Sequence, residues 1–310
     1  MNNAVDSTPH STALLLLIPL LVFAAYWVGM RSTDPYGLFH LSLNRLPSDD
    51  PDSLPKTEWL NMGYWKDTEK FPDAAKALAM KLIAAANLKQ GGSILDVGHG
   101  TGESLILLLS EPTLPKPSHL VGITSLQLHH LRSLQRVQKR QAEQPALQAT
   151  KVDLHYGDAV YDGVQNDHPL SLESKVSFDS ILALDCAHHF NTRQSFLEQS
   201  FRKLASGGRI ALADICFSSD ALKTPRVKLI TSMVRVMPAA NRISDGDYVA
   251  SMKNIGYDDV KLEDITADVY PQFIVFLKSR GIIWWFFGCV LQWYTGVGAK
   301  FVIVSGRKPI

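Results

Sequence analysis

Two clusters in this sequence have residue types and spacings that could do chemistry. In the first, the apolar run Ile94-Leu95-Asp96-Val97 meets Gly98, Gly100 and Gly102 at alternate positions, with His99 and Thr101 between them. Without Cβ atoms at three positions the backbone can turn tightly and approach a ligand closely. The helical pattern that follows offers its amino-terminal N–H groups to an anion. This is the strand, turn and helix of a nucleotide-binding α/β domain. In the second cluster, Asp185-Cys186-Ala187-His188-His189-Phe190, the two histidines titrate near neutrality and are the candidate general bases.

The type of glycine turn narrows the ligand. A dinucleotide fingerprint requires G-x-G-x-x-G and an acidic residue after the second strand. Here the third glycine arrives one residue early, and Thr124-Ser125 stands where the acid would be. Both departures argue against an NAD-dependent oxidoreductase.

The elements that must position these clusters alternate along the chain. Hydrophobic periodicity predicts strands at 94–97, 120–124, 152–156, 178–185 and 209–215, and helices at 71–87, 103–110, 127–143 and 195–204, the last capped by Gly207-Gly208. A helix at 245–255 and strands at 260–265 and 301–305 follow. Such alternation implies an α/β fold with a doubly wound, mainly parallel seven-stranded sheet, its ligand at the carboxyl ends of the strands.

The chain has 310 residues, of which 46% are hydrophobic, enough for a full-sized core. Lys and Arg number 31 against 30 Asp and Glu, so no charge field points to nucleic acid. Cys186, Cys216 and Cys289 have no CxxC spacing, which argues against a disulfide framework, a structural zinc site and a metal centre. No protein partner is evident.

Residues 1–11 form a short tail before Thr12 to Met30, a Leu-rich run without a single charge that ends near Tyr26 and Trp27. That length can span a bilayer, and the tail lacks the basic residues of a signal peptide. The run is therefore expected to be an uncleaved transmembrane helix. Arg31, Arg45 and Lys56 follow it and nothing basic precedes it, which orients the bulk of the chain to the cytosol. In a eukaryote the expected membrane is the endoplasmic reticulum. Residues 31–58, with PSDDPDSLP at 47–55, are expected to be a linker, and 59–310 the catalytic domain. Within it, 281–299 is apolar and aromatic but flanked by Lys278, Arg280 and Lys300. A second span would carry the last strand away from its sheet, so a lid or a segment lying at the membrane interface is expected instead.

As an ordered set, LDVGHGTG, VGIT, GDA, DCAHHF and LASGGRIALADI resemble the motifs of class I S-adenosylmethionine-dependent methyltransferases. The nearest likeness is to the small-molecule and lipid branch that includes sterol, tocopherol and macrolide-sugar enzymes. The resemblance covers about Trp59 to Gly306. It implies a Rossmann-like methyltransferase fold, S-adenosyl-L-methionine as cofactor, and a small-molecule or lipid acceptor. Asp96 and the backbone of Gly98, Gly100 and Gly102 would then serve the cofactor's amino acid end and ribose. Thr124, Ser125 and Gln127 would serve its ribose hydroxyls, Asp158 with Ala159 its adenine, and Cys186 its methionine portion. Tyr64, in Gly63-Tyr64-Trp65, would close over it, and His188 or His189 would act on the acceptor. His99 reads as a packing residue inside the turn. A membrane-tethered protein that binds the cofactor without catalysis, and a protein methyltransferase, are the competing readings.

Overall fold

The computed structural model describes residues 38–50, 53–165, 167–224 and 237–310. The expected anchor at 12–30 lies outside the described residues. Among those described, no helix is long and apolar enough to cross a membrane.

Each apolar run predicted as a strand forms one: β1 (Ser93–Val97), β2 (His119–Thr124), β3 (Lys151–Tyr156), β4 (Phe178–Leu184), β5 (Leu204–Phe217), β6 (Asp258–Asp264) and β7 (Ala299–Arg307). They hydrogen-bond in the order β3-β2-β1-β4-β5-β7-β6. β7 alone is antiparallel to its neighbours, and the pairs formed by β1 to β5 among themselves are parallel. Residues 94–97 are all buried, as expected for a central parallel strand covered on both faces.

Helix α1 (Phe71–Ala86) packs on β4, β5 and β7 through Ala74, Ala75, Leu78, Ala79, Leu82 and Ile83, all buried. The repeat of three and four residues between them gives the helix one apolar stripe. Helix α2 (Glu103–Ser110) follows the glycine turn. Helix α3 (Gln127–Glu143) is polar and buries only His129, Ser133 and Val137. Helices α4 (Arg193–Lys203), α5 (Ser219–Lys223) and α6 (Asp245–Ile255) flank the other half of the sheet.

One expectation changes. Gly207-Gly208 does not cap α4: the chain passes directly from Lys203 into β5. A Cβ on Gly208 would meet the carbonyl oxygens of Ala205 and Phe178 at 2.9 and 3.0 Å, so glycine is needed for close approach beside an irregularity in the β4–β5 register. The compact unit starts at Leu41. Leu41 and Leu43 are buried, and the Asn44 amide donates to Trp59 O and accepts from Trp59 N, both at 2.9 Å. Between β6 and β7 lie α7 (Thr266–Ser279), which no periodicity announced, and α8 (Ile282–Gly296). The aromatic segment is thus a helix of 15 residues, about 22 Å long and too short to span a bilayer.

Candidate active site

The strand order reverses direction between β1 and β4, the switch point where open α/β sheets bind their ligands. At the carboxyl end of β1 the backbone of Gly98, Gly100 and Gly102 takes φ values of 74°, 57° and 89°, a region that disfavours residues with a Cβ. A Cβ on Gly98 would also meet Cys186 Sγ at 2.6 Å. Helix α2 has no side-chain cap, so the N–H groups of its first turn suit an anion such as a carboxylate.

Asp96 and His99 brace this turn from within. Ser104 Oγ donates to Asp96 Oδ2 at 2.6 Å, tying the end of β1 to α2. Burial pushes the Asp96 carboxyl up to about 7, against the Ser104 hydrogen bond. His99 lies beside Gly122, where a Cβ would meet its ring at 2.8 Å, and its Nδ1 is 3.0 Å from Gly100 O. Burial pushes this imidazole down to about 3, so it stays neutral. His99 is therefore a packing residue, as its place in the turn suggested.

Segment 58–65 crosses the carboxyl edge as an extended strap. Glu58 receives a two-pronged ion pair from Arg132 of α3 at 2.6 Å on each oxygen, and its carbonyl accepts from Thr101 Oγ1 at 2.9 Å. Arg136 donates to Thr101 O at 2.9 Å and to the Glu103 carboxylate. One clamp thus fixes strap, turn, α2 and α3. Farther along, Leu60 lies against Gly100, Met62 N donates to Asp185 Oδ2 at 2.8 Å, and Trp65 N donates to Asp268 O at 2.8 Å.

Tyr64 of the strap is half-buried. The Lys81 ammonium stands 5.1 Å from the centre of its ring. Burial and the nearby Asp268 carboxylate raise its phenol pKa. Trp65 is core, packed among Phe71, Phe273 and Phe276. Leu60 and Met62 are the strap residues at the turn and at Asp185.

The other sequence candidates converge on the same edge. Thr124 is buried at the end of β2, with Ser125 and Gln127 exposed just beyond it. Asp158, beyond β3, is exposed, and its Oδ1 accepts from Val160 N at 2.9 Å in a local turn; Ala159 is buried beside it. Cys186 donates to Val97 O at 3.3 Å. Burial, reinforced by Asp214, Asp96 and Asp185, holds its thiol pKa well above the ordinary value, so it is a packing thiol and not a nucleophile.

His188 and His189 separate in role. Their rings are 4.0 Å apart, yet His188 is buried and His189 exposed. His188 Nδ1 lies 3.1 Å from Asp214 Oδ1. Asp214 is fully buried and also faces Tyr248 OH at 2.9 Å and Arg193 Nε at 2.7 Å. Burial would raise its carboxyl, but the Arg193 guanidinium and the His188 hydrogen bond outweigh that and hold it below the usual range. An ionised carboxylate only accepts, so His188 Nδ1 carries the proton of this contact. Asn241 secures the same loop by donating to His188 O at 3.0 Å and Phe190 O at 2.7 Å.

Residue-by-residue reading of the sequence passed over Asp185, Arg193, Asp214 and Tyr248. Asp185 and Asp214 stand inside quoted motifs, at the ends of two adjacent strands, and that position was the available signal. Asp185 adopts φ of 56°, and its Oδ1 is buried with no hydrogen-bond partner among the described residues. Burial holds its pKa well above the ordinary value.

In strand order the edge therefore offers a carboxylate, hydroxyls and an amide, bare backbone N–H groups, and an unpaired carboxylate oxygen. A sheet with such groups gathered at its switch point is that of a nucleotide-binding α/β domain.

Comparison with known proteins agrees. Residues 64–286 match the methyltransferase domain family, and the chain belongs to it, with S-adenosylmethionine as its cofactor. It is 26% identical over 287 residues to erythromycin 3''-O-methyltransferase of Saccharopolyspora erythraea, covering 84% of this chain and 87% of that one. It is also 26% identical over 251 residues to an S-adenosyl-L-methionine-dependent Diels-Alderase of Talaromyces variabilis, covering 74% and 79%. The structure of geranyl diphosphate C-methyltransferase from Streptomyces coelicolor superposes with a TM-score of 0.60 at 13% identity, over 77% of this chain and 82% of that one. This last likeness concerns the fold.

Proposed function

We propose that the protein methylates a hydroxyl of a small hydrophobic or lipid-like acceptor presented at a membrane. The observation that carries this reading is exposed His189 in ring contact with the buried His188–Asp214 pair at the carboxyl edge. When bound, the cofactor supplies a methyl group activated by its sulfonium charge. Alignment of the acceptor then accounts for much of the rate, and a hydroxyl acceptor adds a proton to be removed. Asp214 holds the His188 ring through Nδ1, and His189 lies against that ring. His189 receives the hydroxyl proton on the solvent side of the pair. The name of the Saccharopolyspora relative, an O-methyltransferase, supports oxygen as the methylated atom.

The membrane part rests on the uncharged run at 12–30 and on the exposed aromatic side chains of α8. The arrangement that suits both is a single amino-terminal anchor with the catalytic domain on the cytosolic side, at the endoplasmic reticulum in a eukaryote.

The test is incubation of the full chain with methyl-labelled cofactor and a lipid extract. Label in the organic phase, lost by about 10²–10⁴-fold in His189→Ala with unchanged affinity for S-adenosylhomocysteine, is the expected result. Label in protein would instead indicate a protein methyltransferase. Binding without label transfer would indicate a cofactor-binding protein, and an unlabelled rearranged product would match the Diels-Alderase relative.

A further inference from the structure

Helix α8 presents an apolar side that no other described part of the chain covers. Ile282 and Ile283 are 69% and 63% exposed, and Trp285, Phe286, Phe287 and Trp293 are each more than a third exposed. Surface apolar residues ordinarily occur singly, and a contiguous group of this size marks an interaction site. The helix itself is firmly seated. Tyr294 meets Phe217 edge-on at 5.5 Å, and Gly288 lies against α7, where a Cβ would meet Lys278 Cγ at 2.9 Å and Ile274 O at 3.2 Å. Because Phe217 ends β5 and pairs with Ala299 at the start of β7, the helix sits at the carboxyl edge of the sheet, the edge that carries the site.

The surroundings identify the partner. Lys278 and Arg280 lead into α8 and have no acidic partner among the described residues, whereas Lys300 is paired with Asp245 and Asp264. Exposed aromatic side chains beside cations without acidic partners suit an anionic lipid surface. Arg280 also shows where the amino-terminal chain joins the unit: its NH2 donates to the carbonyls of Ser42 at 3.3 Å and Arg45 at 2.9 Å.

We propose that α8 is a monotopic membrane-contact helix: it lies along an anionic bilayer with Ile282, Ile283, Trp285 and Phe286 below the headgroups, presenting the carboxyl edge of the sheet to lipid. The proposal deepens the apolar-acceptor reading above and rests on it.

The experiment uses the full chain bound to phosphatidylcholine–phosphatidylserine vesicles whose acyl chains carry bromine, a contact quencher of tryptophan. Trp285 and Trp293 are assigned by difference from Trp285→Phe and Trp293→Phe, and S-adenosylhomocysteine binding confirms that each variant is folded. The expected result is about a twofold or larger loss of their emission in brominated relative to ordinary vesicles, with free access of aqueous iodide when lipid is absent. No bromolipid quenching in variants that bind S-adenosylhomocysteine normally would overturn the proposal and leave the methyltransferase reading intact. Iodide protection that grows with protein concentration would overturn it in favour of a second copy on this face. Iodide protection at every concentration would overturn it in favour of another segment of the same chain. Failure to bind S-adenosylhomocysteine at all would count against the methyltransferase reading, on which the proposal rests.

Discussion

Asp96 and His99 are buried three positions apart in the glycine turn, and burial works on them in opposite senses. The Asp96 carboxyl is raised from 3.8 to about 7. The folded state therefore holds more protons than the unfolded state between those values, and this contribution to stability is lost as pH rises through the window. His99 is lowered from 6.5 to about 3. Its contribution is lost as pH falls through that range, so the two slopes oppose each other where the windows overlap. Relative to the parent protein, Asp96→Asn is expected to gain stability as pH rises from about 4 to 6.5. His99→Gln is expected to lose it over the same window, both read by urea unfolding without cofactor. A second residue-scale expectation concerns Asp214→Asn, which leaves the buried Arg193 guanidinium without its carboxylate. A loss of about 3–5 kcal/mol is expected for breaking a buried ion pair from one side, measured by the same method.

At the scale of elements, the strap at 58–65 has no regular secondary structure, and its position depends on side-chain anchors. Arg132→Ala removes both prongs of the ion pair on Glu58, a carboxylate that is itself mostly buried. Hydrogen bonds to charged groups contribute about 1.5–3 kcal/mol. The variant is expected to bind S-adenosylhomocysteine about tenfold or more weakly, by isothermal titration, with the sheet intact by circular dichroism. The path of this segment could be read from Gly63-Tyr64-Trp65 only through its resemblance to a family. Which strap residues meet the turn could not: coil has no periodicity, and Leu60 lies against Gly100 while the Met62 N–H meets Asp185. Likewise α7 was not read because Pro271 interrupts its pattern, and proline inside a helix usually marks a break.

At the scale of the molecule, every described site residue lies in the unit Leu41–Ile310. Removing residues 1–37 is expected to leave affinity for S-adenosylhomocysteine within about twofold of the full chain while weakening retention on vesicles sharply. Titration and vesicle sedimentation measure the two effects separately. The insertion of α7 and α8 between β6 and β7 gives an otherwise regular sheet its exposed aromatic side. That feature belongs to the whole molecule, because the same fifteen residues of α8 would be core if another layer covered them.

The sequence by itself determined the sheet and the glycine turn, which are written in local periodicity and in residues close together along the chain, where backbone sterics act over a few positions. The cofactor followed from the resemblance of the ordered motifs to a family. Only the tertiary structure decided that His188 is held and His189 presented, because that difference depends on Asp214, Arg193, Tyr248 and Asn241, brought together from three separate parts of the chain. It also decided that Asp185 carries an unpaired buried oxygen at the switch point, since burial and hydrogen-bond partnership are properties of packing. The apolar character of α8 was legible in its composition; its exposure was not, because composition does not tell a helix what lies against it.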